Sequence, residues 1–99
     1  MSELRKLVLD VLKPHEPDIT VLARRVSELE SIDGVNVSVY EIDQKVENVK
    51  LTVEGRFNDF EEIKKVILDI GATIHSIDEV VAGKRIIFEE ETLHDREKE

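Results

Sequence analysis

The chain has 99 residues, the size of one domain with a modest core. Fourteen Lys and Arg against 23 Asp and Glu give a net charge of −9, which argues against a nucleic-acid or anionic-membrane surface; the absence of Cys excludes disulfides, thiolate metal sites and cysteine nucleophiles. No apolar run approaches the ~20 residues of a membrane span and no signal-peptide core follows Met1-Ser2-Glu3-Leu4-Arg5-Lys6, so a cytoplasmic protein is expected.

Residues 4–12 open the chain with Leu7, Leu9 and Val11 on one face and Val8, Asp10 and Leu12 on the other. Apolar residues on both faces predict a central strand. Pro14 and Pro17 end it in a loop running from Lys13 to Pro17. Asp18 is placed to cap a helix, and Ile19, Leu22, Val26 and Leu29 recur at helical spacing, so this helix is expected to run to about Ser31. Val35, Val37 and Val39 alternate with polar residues, as do Val49, Leu51 and Val53. With a polar turn from Asp43 to Val46 between them, the two runs predict a hairpin, and Gly55 is expected to break its second strand.

Asn58 followed by Glu61 resembles a capping box, and Phe60, Ile63, Ile67 and Ile70 mark a second amphipathic helix closed by Gly71. Residues 72–81 read as a strand, Ala82-Gly83 as a turn, and residues 84–88 as a short extra strand. One unbroken strand over residues 72–88 would be about 56 Å long, too tall for a domain of this size. The charged, aperiodic residues 89–99 are expected to be a frayed tail on a single domain spanning residues 1–88. The order β-α-β-β-α-β, with right-handed crossovers, predicts an α+β ferredoxin-like sandwich. Its antiparallel sheet has the order 4-1-3-2 and both helices on one face. The abundance of Glu, Lys and Arg without Cys or Trp also leans toward thermophile composition.

Three stretches carry more than a generic fold. They are Leu9-Asp10-Val11-Leu12-Lys13-Pro14-His15-Glu16-Pro17, the hairpin around Val39-Tyr40-Glu41-Ile42-Asp43, and His75-Ser76-Ile77-Asp78-Glu79-Val80-Val81-Ala82-Gly83-Lys84. They resemble the small archaeal family known as domain of unknown function 211, over residues 4–87. The resemblance implies an archaeal source, a ferredoxin-like fold and an oligomer. It implies no activity and supplies no catalytic residues.

Strand arithmetic then places side chains. With the hairpin turn centred near residue 44, Ser38 faces Lys50. If Leu12 meets both Asn48 and Thr73, Asp10 faces Lys50 on one side and His75 on the other. The expected row Ser38, Lys50, Asp10, His75 lies on the helix-free face, flanked by Val8, Leu12, Tyr40 and Ile77. The simplest role for Asp10 is a cross-strand ion pair with Lys50, worth about 0.2–1 kcal/mol. The sharper one is a ligand contact shared with His75. A face this apolar suggests a subunit contact.

Topology gathers His15, Glu16, Asp18, Glu41, Asp43 and Glu47 at one end of the sheet. Among them His15, Glu16, Asp43 and Glu47 are candidate ligands for a hard divalent cation such as Ca²⁺ or Mg²⁺, although their spacing matches no EF-hand; otherwise they form a solvated rim. Asp78-Glu79 is a second candidate at the opposite end. Neither His15 nor His75 has a nucleophile motif nearby, and Ser38 and Ser76 lack an elbow context. The glycines are isolated turns without a phosphate loop. The basic pairs Arg5-Lys6, Arg24-Arg25 and Lys84-Arg85 are dispersed and lack interleaved aromatics, so no nucleic-acid platform results.

The leading expectation is a non-enzymatic, oligomeric binding module. It would hold a divalent cation or small metabolite at the acidic loops or at a subunit interface. A ligand-free structural scaffold is the alternative, followed by a small enzyme using Asp10 and His75. The helix-free face and the short strand over residues 84–88 are the expected self-association surfaces, unless that strand folds back beside the fourth one.

Overall fold

In a computed structural model, which describes residues 2–90, the elements follow in the expected order. They are β1 (Leu4–Pro14), α1 (Ile19–Ser27), β2 (Ile32–Ile42), β3 (Val46–Phe57), α2 (Phe60–Asp69) and β4 (Thr73–Ala82). All neighbouring strands are antiparallel, in the order β2-β3-β1-β4, which is the predicted order read from the other edge. The fold is an α+β ferredoxin-like sandwich.

The alternation in β1 and β3 determines which side is covered. Leu7, Leu9 and Val11 of β1 and Val49, Leu51 and Val53 of β3 are buried. They form one cluster with Leu22 and Val26 of α1 and with Ile63, Val66 and Ile67 of α2. Burying a Leu, Val or Ile side chain contributes roughly 1.5–3 kcal/mol, so this cluster supplies the main drive to fold. The alternate residues Val8, Asp10 and Leu12 face the side without helices and are half-buried.

Caps set the helix boundaries. Asp18 Oδ1 accepts from the Thr20 and Val21 amides (3.0 and 3.4 Å), as the sequence predicts. The cap of α2 is Asp59 rather than Asn58: Asp59 Oδ1 accepts from the Glu61 amide at 2.8 Å. The Asp59 carboxylate also faces the positive end of the helix. α1 stops at Ser27, short of the expected Ser31, because the chain tightens: Leu29 N–H donates to the Val26 carbonyl and Ile32 N–H to the Leu29 carbonyl. Leu29 still packs on the core. Gly71 closes α2 at φ +84°.

Two further expectations are corrected. Gly55 does not end β3, which continues to Phe57. Instead Gly55 lets two backbones meet: a Cβ at this position would lie 2.3 Å from the Ser31 carbonyl oxygen and 2.9 Å from Ile32 Cα. Residues 84–88 form no fifth strand in the described chain. Gly83, at φ +108°, turns the chain out of the sheet after Ala82. Most of the expected frayed tail, residues 91–99, lies outside the described residues.

Candidate functional site

The helix-free face carries the polar row nearly as predicted. Ser38 is opposite Lys50, and Lys50 is opposite Asp10. On the far side Asp10 meets Ser76, not His75. The register between β1 and β4 shifts between Asp10 and Val11, and again between Val8 and Leu9. Leu12 does meet Thr73, but the shift then inserts His75 as an extra residue of β4. A bulge leaves such a residue outside the one-to-one ladder. Ile77 is likewise displaced from its expected place and lies opposite Leu9.

Asp10 and Lys50 do not form the expected ion pair. The ion pairs among the described residues are Lys6–Glu79 (3.1 Å), Lys13–Glu47 (3.3 Å), His15–Glu47 (3.3 Å) and Arg25–Asp69 (3.6 Å). The Lys50 ammonium sits over the Tyr40 ring instead, 5.9 Å from its centroid. Asp10 Oδ1 is closed off from solvent and has no hydrogen-bond partner among the described residues, and the same holds for Asn48 Oδ1. Burial, with smaller contributions from the Asp10 and Asp78 carboxylates, pushes the Tyr40 hydroxyl above its ordinary value. Ser38 Oγ donates to Asn36 Oδ1 (2.8 Å) and Ser76 Oγ to Asp78 Oδ1 (2.7 Å).

The loop end is organised by Lys13, whose role was not legible in the sequence. Lys13 continues the inward row of Leu7, Leu9 and Val11 and is completely buried. Its ammonium donates to the carbonyls of Pro14 (2.7 Å), His15 (3.4 Å) and Pro17, and pairs with Glu47 Oε1. The other Glu47 oxygen, Oε2, lies 3.3 Å from His15 Nδ1. Glu16 is exposed. Asp43 builds the hairpin turn, its Oδ1 accepting from the Lys45 and Val46 amides at 2.8 Å each. Of the four candidate cation ligands, His15 and Glu47 are in direct contact, Asp43 lies close enough to the His15 imidazole for the two to influence each other, and Glu16 stands apart, exposed. Among the described residues no three His, Cys, Asp or Glu are grouped to hold a metal ion. At the other end Glu79 is taken by Lys6 and Asp78 by Ser76.

The His15–Glu47 pair gives a pH signature. Its hydrogen bond to Glu47 raises the His15 imidazole above the ordinary 6.5, and the same contact lowers the Glu47 carboxyl below the ordinary 4.5. A raised His contributes stability below its unfolded pKa and loses it as pH rises through the folded one. A lowered Glu contributes above its unfolded pKa and loses it as pH falls through the folded one. The pair is thus at full strength between about pH 4.5 and 6.5. The stability difference between the wild type and His15→Gln, followed by urea melts across pH, should be largest in that window and shrink by pH 8.

Residues 5–96 match the DUF211 family, described as uncharacterized ArCR. The chain belongs to this family. It is 58 % identical over 96 residues to the uncharacterized protein MJ0319 of the archaeon Methanocaldococcus jannaschii, covering 97 % of this chain and 99 % of that protein. The DUF211 match takes in both the helix-free row and the Lys13 cage. No helix among the described residues is long and apolar enough to cross a membrane.

Proposed function

We propose that this chain is a non-enzymatic binding module that self-associates through the helix-free face of its sheet and seats a small ligand there. One observation carries the reading: among the described residues Asp10 Oδ1 and Asn48 Oδ1 are buried without partners. Leaving such a group unsatisfied costs about 1–3 kcal/mol, more when it is charged. A second copy laid on this face covers the half-exposed Tyr40, 51 % of whose surface is open, and brings its own Lys50 as a donor for Asp10 and Asn48 once their side chains turn outward. The same row offers acceptors to a ligand held between copies. That ligand is a small metabolite, or a divalent cation completed by both subunits.

Light scattering tests the assembly. The wild type should run as a multiple of 11.4 kDa at micromolar concentration. Tyr40→Glu, at an exposed position, should reduce that mass with an unchanged circular dichroism spectrum. A wild type that stays at 11.4 kDa defeats the reading. Melting with Ca²⁺, Mg²⁺ or Mn²⁺ tests the ligand. A cation at 100 times its dissociation constant adds about 2.7 kcal/mol, whereas identical melts with all three leave the metabolite.

A further inference from the structure

The last described residues leave the sheet in a fixed direction. The Gly83 N–H donates to the Glu3 carbonyl at 2.9 Å. The Arg5 guanidinium holds the carbonyls of Gly83 (3.3 Å) and Lys84 (2.7 Å). Beyond this anchored exit the chain is apolar and bare: Ile87 is 62 % exposed and Phe88 78 %. Scattered apolar side chains on a surface need no explanation, but adjacent ones on an anchored segment make a patch.

On the opposite flank of the sheet, β2 is paired only to β3 among the described residues. Among these residues its outer side presents unpaired backbone N–H and C=O groups, the template for an added strand. A depression of about 380 Å³ opens where β2 begins, with Asp33 and Glu54 on its wall. Neither carboxylate takes part in an ion pair among the described residues. Leu4 faces both Phe57 and Ala82, and Gly55 faces Ile32, so the start of β2 and the end of β4 lie at the same end of the sheet.

We infer that residues 84–88 of one copy add as a strand along the outer flank of β2 in a second copy, setting Lys84 and Arg85 against Asp33 and Glu54 and covering Ile87 and Phe88. Charge chooses the occupant. In a chain of net charge −9, a basic pair followed by apolar residues complements an acidic depression beside an open strand. Each copy carries one of each, on opposite flanks. The contact is therefore head-to-tail, and every copy offers a second one to the next. Main-chain hydrogen bonds supply affinity in such strand additions, and side chains select the register. The added strand runs along the flank of β2, while the depression opens on the helix-free face, where Gly34 lies opposite Glu54 and Asn36 opposite Thr52; the two contacts therefore meet at the start of β2.

Sedimentation velocity on the full chain tests it. Ile87→Glu with Phe88→Glu, both at exposed positions, should raise the concentration needed for association by about tenfold or more. Asp33→Lys with Glu54→Lys should do the same, as should Lys84→Glu with Arg85→Glu. Mixing the two charge-reversed proteins should restore association, because each then offers what the other lacks. Circular dichroism shows that each variant is folded. An Ile87→Glu/Phe88→Glu protein that associates like the wild type overturns the inference, as does a mixture that stays dissociated. Tyr40→Glu separates the two contacts: if it alone lowers the mass, the face is the interface and the segment is not.

Discussion

Lys13→Met should destabilise the fold by about 3–5 kcal/mol, the usual cost of removing one partner from a buried ion pair. The ammonium is shut off from water and is shared among three loop carbonyls and Glu47. Met fills a similar volume but donates nothing. The three carbonyls then lose their common donor, and the Glu47 carboxylate keeps only His15. For a domain of this size each kcal/mol lowers the melting temperature by about 4–8 °C, so the drop should be roughly 12 °C or more. Urea unfolding should show a lower midpoint at an unchanged slope. An exposed control, Lys64→Met, should stay within about 0.5 kcal/mol of the wild type. Adding Glu47→Gln to Lys13→Met should recover part of the loss, since it removes the stranded charge. A Lys13→Met protein as stable as the control would show that the cage contributes nothing.

Gly55→Ala should cost about 2–3 kcal/mol, although only a methyl group is added. The reason is contact with backbone, not a left-handed conformation. The new Cβ would sit 2.3 Å from the Ser31 carbonyl oxygen. That oxygen also accepts from the Arg56 amide at 3.0 Å, and the Gly55 carbonyl accepts from Arg5 Nε at 3.3 Å. Moving either strand strains bonds on both sides of the close approach. Gly34, where an added Cβ meets nothing within 4 Å, is the comparison. Parallel thermal melts of Gly34→Ala and Gly55→Ala check the claim, and equal melting temperatures would refute it.

The elements were legible because alternation and helical spacing are local. The inward rows of β1 and β3, the Asp18 cap and the register placing Ser38, Lys50 and Asp10 side by side all come from counting. His75 was misplaced because counting assumes one residue per ladder step, and β4 breaks that rule at two bulges between Val8 and Val11 of its partner. A bulge leaves no trace in the hydrophobic pattern when polar residues occupy both candidate positions, as His75 and Ser76 do. The Asp10–Lys50 ion pair failed for another reason: being opposite does not decide rotamers, and the Tyr40 ring competes for the ammonium. Lys13 is the largest omission. Its parity with Leu7, Leu9 and Val11 already put it on the inward row. What could not be counted was that the loop beyond it folds its carbonyls around one point. With Glu47 and His15 committed there, the proposal rests on the other expected site, the row on the sheet face.

The bulges of β4 have a consequence for behaviour at high concentration. With two bulges and a further shift beside Leu4, this margin of the protein offers no long straight row of backbone groups. β2, in contrast, keeps an even register against β3 from Gly34 to Val39. One margin is thus receptive and the other guarded. Bulges of this kind disfavour uncontrolled pairing of like margin with like, the opening step of fibre growth.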